Sequence, residues 1–260
     1  MARAMEPDWL VPELNVEGVG SLMTTRRGGI SASPFDSFNV SEHTGDAPAA
    51  VAYNRARLEF VVEAVPVYLK QVHGARVVRL GPEDAQVGAP VHEADACITT
   101  DPGLACTVLV ADCLPVLFAA PAGRVVGAAH AGWRGLAAGV LEATLQAVCE
   151  AAVCHPSQVQ VWLGACIGRE GFEVGADVLE AFGTDADVAA ASCFAPCASG
   201  KWLADLPRLA RDRLRGVGVE AVKGGKWCTV TDASRFYSFR RDRITGRMAA
   251  LVWIKDSVRR

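Results

Sequence analysis

The chain has no apolar run long enough to cross a membrane, and its start, Met1-Ala-Arg-Ala-Met-Glu-Pro-Asp-Trp, lacks the apolar stretch of a secretory signal. A soluble protein is expected. An excess of basic charge is also missing: 26 Lys and Arg against 29 Asp and Glu leave a net charge of −3. That argues against a general nucleic-acid binder, whose footprint would be basic. No repeat and no linker divides the 260 residues, so a single domain over 1–260 is expected. Paired cysteine spacings are absent as well. The nine cysteines are odd in number and scattered through apolar runs such as Leu104-Ala-Cys-Thr-Val. This is the pattern of buried thiols rather than a disulfide framework, and it points to a reducing cytoplasm.

What is present is a hydrophobic content of 51%, enough for a generous core. Charge is unevenly spread: residues 235–260 hold eight basic residues against Asp242 and Asp256, so the rest of the chain carries −9. Such a patch suits a small anion such as phosphate, or is a solvated tail. Nothing in the sequence assigns an oligomeric state.

The chain is organised around residues 111–135, Ala-Asp-Cys-Leu-Pro-Val-Leu-Phe-Ala-Ala-Pro-Ala-Gly-Arg-Val-Val-Gly-Ala-Ala-His-Ala-Gly-Trp-Arg-Gly. Two apolar strands, 114–120 and 125–129, flank the turn Pro121-Ala-Gly. A hairpin here brings Cys113, entering the first strand, beside His130, leaving the second. The alanine-rich segment 136–149 has the apolar spacing of an amphipathic helix. Its start, with Gly132, Arg134 and Gly135, suits an anion or is a plain strand-to-helix turn.

Elsewhere the pattern predicts a strand at 19–25 running into Arg26-Arg-Gly-Gly, an ordered loop at 34–46, and a helix at 49–64 with Asn54 and Arg55 off its core face. Hairpins are expected for 67–73 with 76–80 and for 94–100 with 104–110, and a strand at 159–163 before Gly164-Ala-Cys-Ile-Gly. Helices are expected at 173–182 and 206–217, the latter capped by Asp205, and late strands at 219–222, 236–239 and 248–254. Residues 183–200 carry no clear pattern, and Cys193 and Cys197, lacking a zinc spacing, read as structural. Hairpins mixed with helices predict an α/β fold of the α+β type, with mixed or antiparallel sheets.

Of the five histidines, His155 reads as a cap or an exposed residue at a helix exit, His92 as a loop residue without a partner, and His43 as part of a turn. His73 and His130 sit at strand ends beside glycine, with Cys113 at a third strand edge. Two imidazoles and a thiolate make a three-ligand zinc set with a fourth position open. The spacings, 40 residues from His73 to Cys113 and 17 on to His130, are not diagnostic, and a Cys113 nucleophile with a histidine base reads equally from the residues.

Motifs along nearly the whole chain resemble the bacterial laccase-domain family, first described as multicopper polyphenol oxidases and since understood as purine nucleoside phosphorylases with adenosine deaminase activity. They are Thr24-Thr-Arg-Arg-Gly-Gly, Phe38-Asn-Val, His43-Thr-Gly-Asp, Asn54-Arg, Gln71-Val-His-Gly, Thr107-Val-Leu-Val-Ala-Asp-Cys-Leu-Pro, His130-Ala-Gly-Trp-Arg-Gly, Phe172-Glu-Val-Gly, Cys228-Thr, Phe236-Tyr-Ser-Phe-Arg-Arg and Thr245-Gly-Arg-Met-Ala. The resemblance implies one domain of mixed sheets sandwiched between helices, and it implies His73, Cys113 and His130 as metal ligands and catalytic centre. Zinc is the implied metal, with copper reported for the oxidase description. One flanking loop departs from the family pattern, with Ala165 and Cys166 where Gly-Pro-(Ala/Ser/Cys)-Ile-Gly is expected.

The implied substrates are a purine nucleoside (adenosine, inosine or methylthioadenosine) and phosphate. Arg26, Asn39 and Arg55 are the expected substrate-binding residues, Arg26 and Arg55 for phosphate. Laccase chemistry needs clustered histidines for several coppers, and five are too few. Two rivals remain: an amide hydrolase editing cell-wall precursors, and a zinc-stabilised binding module, which would need a closed four-ligand site.

Overall fold

The computed structural model describes residues 5–183 and 193–256. In chain order the first elements are β1 (Val19–Met23), α1 (Pro48–Val62), β2 (Val65–Val67), β3 (Val77–Leu80), β4 (Ala96–Thr99), β5 (Leu104–Val110), β6 (Leu114–Ala119) and β7 (Val126–Ala131). They are followed by α2 (Trp133–Ala137), α3 (Val140–Ala152), β8 (Gln160–Leu163), β9 (Glu173–Val174), α4 (Ala176–Ala181), β10 (Phe194–Ala198) and β11 (Lys201–Ala204). The chain closes with α5 (Leu206–Gly216), β12 (Ala221–Gly224), α6 (Phe239–Asp242) and β13 (Met248–Ile254).

A strand that is apolar on both faces needs cover on both, and that requirement sets the layers. A six-stranded sheet, β12-β8-β6-β7-β4-β3, packs against a four-stranded sheet, β1-β13-β5-β2. Along β6, Leu114, Val116 and Phe118 face α3 and α5, packing with Val140, Leu145, Val148 and Leu214, while Leu117 and Ala119 point the other way. The interior between the sheets is built from those two residues with Val108, Val110, Met248, Ala250 and Val252. The outer face of the second sheet, Leu22, Ala249 and Leu251, is covered by Leu58 and Val62 of α1 together with Trp9 and Phe38. The result is helix, sheet, sheet, helix, as the resemblance implies. Each fully buried Leu, Val or Phe contributes about 1.5–3 kcal/mol.

The hairpin at the centre of the chain forms as expected, with Leu114 opposite Ala131 and Ala119 opposite Val126. So does α5, whose cap Asp205 accepts from the Arg208 N–H at 2.9 Å. Several expectations are corrected. β4 and β5 do not form a hairpin: Asp101-Pro-Gly is a corner that carries the chain from one sheet to the other, with Gly103 at φ +79°. β2 and β3 likewise part, β2 running parallel to β5 and β3 parallel to β4. For β4 and β5, which are buried on both faces, no pattern names the partner; β3 alternates, with Arg79 exposed, and alternation fixes a face but not a partner.

Residues 136–149 form part of two helices rather than one, broken where Gly139 takes φ +90°. Residues 173–182 divide into β9 and α4. Phe236 and Tyr237 are fully buried but belong to no strand, and Ser238 caps α6, its Oγ accepting from the Arg241 N–H. The unassigned stretch 183–200 contains β10, which pairs with β11, and residues 184–192 lie outside those described. All nine cysteines are free; Cys193 is buried and donates to Asp212, whereas Cys197 is exposed.

Asn54 is not off the core face of α1 but buried on it. Its amide donates to Ser31 Oγ and to the carbonyls of Ser37 and Asn39, and its Oδ1 accepts from the Ile30 N–H, stapling the 30–39 loop to the helix.

Candidate functional site

Three side chains from three separate stretches converge at one end of the six-stranded sheet. The ligand atoms of His73, Cys113 and His130 all lie within 4.8 Å of one another. Cys113 Sγ is 3.8 Å from His73 Nε2, and the two imidazole rings meet edge to face at 4.9 Å between centroids. His130 is buried in β7, Cys113 is half-buried just ahead of β6, and His73 is exposed on a turn.

The turn is held by a residue that sequence reasoning passed over. Asp95 is fully buried, and its carboxylate accepts from the backbone N–H groups of Val72, His73 and Gly74 at 3.1, 2.9 and 2.7 Å. These bonds hold His73 at φ +62°, a left-handed conformation that non-glycine residues seldom adopt. The same carboxylate lies 2.9 Å from His130 Nδ1, and the Asp95 carbonyl accepts from the His130 N–H at 2.7 Å. With Nδ1 engaged, Nε2 is the ring nitrogen left to ligate a metal, the support a histidine ligand ordinarily has behind it. An aspartate embedded in the run Ala94-Asp-Ala-Cys-Ile was the available signal, since a buried acid needs partners.

Gln71 fixes the approach to that turn. Its side-chain amide both donates to Leu109 O (2.9 Å) and accepts from Leu109 N (2.8 Å), extending the β2–β5 pairing. On the cysteine side, Asp112 sits at φ +101°, its carboxylate accepting from Thr229 Oγ1 at 2.5 Å and from the Arg240 N–H at 2.6 Å. Gly132 is required by close approach: a Cβ there would come within 2.9 Å of His73 Cδ2 and 3.0 Å of Cys113 Sγ.

Left to themselves, the three groups polarise one another. Burial acts to raise the Cys113 thiol, but the His130 and His73 rings outweigh it and bring it down to about 6. Burial acts to lower His130, yet Cys113 and Asp95 lift it to about 9. Asp95 is held below the usual carboxylate range: burial opposes this, and the bonds from His130, Gly74 and Val72 prevail. A thiolate and two imidazoles, one braced by a buried carboxylate, make a donor set that fits a borderline-soft divalent ion.

A cavity of about 420 Å3 opens over these side chains. Ser41, His43 and Thr44 form one wall, Leu69 to Gln71 and Leu109 to Ala111 another, and Phe239 and Arg247 a third. The 34–46 loop therefore reaches the pocket through His43. His155, exposed after α3, caps the start of the short helical turn that follows rather than the end of α3, its Nδ1 accepting from the Ser157 N–H. His92 does have a partner, Asp84 Oδ1 at 2.6 Å.

The expected substrate-binding residues lie outside this lining. Arg26 borders a different cleft and spends its donors on Asp36 O, Asp36 Oδ2 and Ala233 O, with its guanidinium 5.0 Å from the Tyr237 ring centroid. Arg55 stands behind the His43 loop, bonded to Val40 O and Glu42 and stacked 3.9 Å over Tyr68. Asn39 is fully buried and bonds Ser41, Thr44, Asp46 and the Arg247 N–H, so it shapes the loop and reaches the pocket only through it. Arg134 is exposed and stacks on Trp133, and α2 is a helix of only five residues.

Residues 20–255 match the model of the family described as multi-copper polyphenol oxidoreductase laccase. The chain belongs to this family. Among relatives of this laccase-like chain, a purine nucleoside phosphorylase of Pseudomonas aeruginosa is 48% identical over 253 residues, spanning 97% of this chain and 98% of that one. The purine nucleoside phosphorylase YfiH of Escherichia coli is 44% identical over 258 residues, 98% of this chain and 100% of its own. A crystal structure of a Neisseria meningitidis protein superposes with a TM-score of 0.87 at 42% identity, covering 96% of this chain and 100% of that one.

Proposed function

We propose that this protein is a zinc-dependent purine nucleoside phosphorylase. It cleaves adenosine, inosine or methylthioadenosine with phosphate to the free base and the pentose 1-phosphate, and it deaminates adenosine in the same pocket. The observation that carries this reading is the near end-to-end similarity to relatives named as purine nucleoside phosphorylases. The pocket agrees with it, being of a size that suits a small-molecule substrate and placed directly over the three candidate ligands.

His73, Cys113 and His130 are the residues that would hold the ion and form the catalytic centre, and their cysteine and imidazole donors favour zinc over a harder cation. When bound, zinc supplies Lewis acidity that polarises oxygen and lowers the cost of using water as a nucleophile. The chain supplies the rest. Asp95 keeps the His130 proton on Nδ1 and fixes the His73 turn. The His43 loop and Phe239 wall the pocket that would take the nucleoside. The family description names an oxidase, but a multicopper centre needs more imidazoles than His43, His73 and His130, the three that the described residues bring to the pocket. The nine free cysteines agree with a reducing cytoplasm.

The test is to incubate the purified protein with adenosine, with and without phosphate, and to identify the products. Adenine with ribose 1-phosphate appearing only when phosphate is present is the expected result. No phosphate-dependent cleavage of any of the three nucleosides would overturn the reading.

A further inference from the structure

Several arginines near this surface end on a carboxylate: Arg26 on Asp36, Arg55 on Glu42, Arg235 on Asp232, Arg241 on Asp242. Arg240, Arg243 and Arg247 do not, and of these three Arg247 is the one in the pocket lining. It is half-buried in the pocket wall, and among the described residues no carboxylate lies within 4.0 Å of its guanidinium. Among the described residues Nη1 alone is engaged, donating to the carbonyls of Thr245 at 3.0 Å and Gly246 at 3.1 Å. The edge formed by Nε and Nη2 has no acceptor among the described residues, and that edge is the fork that matches two oxygens of a tetrahedral anion.

The arginine is also held in place. Its N–H donates to Asn39 Oδ1 at 2.9 Å, and a Cβ on the preceding Gly246 would come within 2.7 Å of the Tyr237 ring and 2.9 Å of Asn39 Cβ. The backbone at 246–247 is therefore wedged against two buried side chains. The Arg247 guanidinium stands 5.8 Å from the Phe239 ring centroid, in the same wall. Burial works against the Arg247 charge and the nearby Cys113 and Asp112 work for it; an anion in the pocket would add direct contact with the free edge.

We infer that Arg247, fixed by Asn39 and by the Thr245 and Gly246 carbonyls, is the residue that binds inorganic phosphate in this pocket, its Nε–Nη2 edge taking two phosphate oxygens. The inference rests on the phosphorolysis reading for the role of that phosphate, but the anion site stands on the geometry alone. It moves the phosphate-binding role from Arg26 and Arg55, whose guanidinium groups already serve protein acceptors, to a residue facing the candidate metal centre.

The zinc-bound protein as purified is titrated with inorganic phosphate by calorimetry, alongside Arg247→Gln and Arg247→Lys, with zinc content and melting temperature measured for each. Phosphate affinity is expected to fall on the order of tenfold to a hundredfold in the glutamine variant and less in the lysine variant, which keeps charge without the fork. The KM for phosphate in nucleoside cleavage should rise in parallel, with zinc content unchanged. In the unmutated protein, phosphate should protect Arg247 from phenylglyoxal, read by peptide mass spectrometry, which covers the case of a variant that does not fold. Unchanged phosphate affinity in folded Arg247→Gln, or no protection, overturns the assignment. Adenosine 5′-monophosphate losing affinity while inorganic phosphate does not would overturn free phosphate as the occupant. Phosphate bound through Arg247 by a protein that leaves nucleosides intact would sink phosphorolysis and keep the site. Phosphate-dependent cleavage untouched in Arg247→Gln would do the reverse.

Discussion

Cys106 lies on β5 and Cys113 seven residues on, just ahead of β6, and their surroundings pull the same thiol in opposite directions. Cys106 lies between the two sheets, against Cys97 of β4 in the facing sheet and 3.8 Å from the Val126 carbonyl. Burial pushes its thiol well up, and Cys97 adds to the rise. Cys113 stands where β6 emerges at the sheet end, and burial acts on it in the same sense. There the two imidazoles reverse the outcome. Burial alone makes a cysteine inert; burial beside groups that can carry positive charge makes it a thiolate and a ligand. The difference follows from position in the sheet sandwich, because loops meet at strand ends and bring side chains from distant parts of the chain, while the sheet interior admits only neighbouring strands.

The sharpest way to break this comparison is to replace each sulfur. Cys113→Ser should reduce zinc from about one ion per chain to near zero and abolish activity with it, since a neutral hydroxyl replaces a thiolate ligand. Cys106→Ala should keep both, at a stability cost of about 1–2 kcal/mol for the small cavity left behind. Elemental analysis beside rate measurement reads both variants. A serine variant that keeps its zinc and loses only turnover would make Cys113 a covalent nucleophile instead.

A smaller effect is expected behind the ligands. Asp95→Asn keeps the size of the side chain but removes the charge that sets the His130 tautomer and gathers the 72–74 amides. Zinc affinity, measured by competition with a chromophoric chelator, should weaken about 10–100-fold. An affinity equal to the parent's would show that the His73 turn and the His130 ring hold their geometry without the charge.

The smallest expected difference sharpens the contrast between the thiols themselves. In chelator-stripped, folded protein, iodoacetamide reacts with thiolate, so a pKa lowered to about 6 means Cys113 stays reactive at neutral pH and loses reactivity only as pH falls through that value. Cys106, raised and buried, should stay unmodified throughout. Peptide mapping across pH 5–9 distinguishes them, and a Cys113 profile rising only above about pH 8, like an ordinary thiol, would remove the imidazole effect.

The sequence by itself determined the central hairpin, because the run from Leu114 to Ala131 is apolar on both faces and interrupted once, at a turn that proline and glycine specify. It also determined α5, through a cap and a sustained period, and it named His73, Cys113 and His130 through motifs that resemble a known family. Partner choice among strands was left to the tertiary structure: β4 and β5, both buried on either face, separate into different sheets, and no periodicity distinguishes a hairpin from a corner between layers. The roles of charged residues were decided there too. Arg26 beside two glycines and Arg247 beside one look alike in sequence; a carbonyl and a carboxylate from Asp36, and a second carbonyl from Ala233, occupy the first, while the second faces a pocket with two donors unspent. The apolar run around Asp95 marks it as an acid in need of partners, but the partners themselves, the Val72–Gly74 amides 21 to 23 positions earlier, are set only by the folded chain. Local pattern fixes which faces must be buried, but a hydrogen bond or an ion pair depends on distances of a few ångströms that only the assembled layers set.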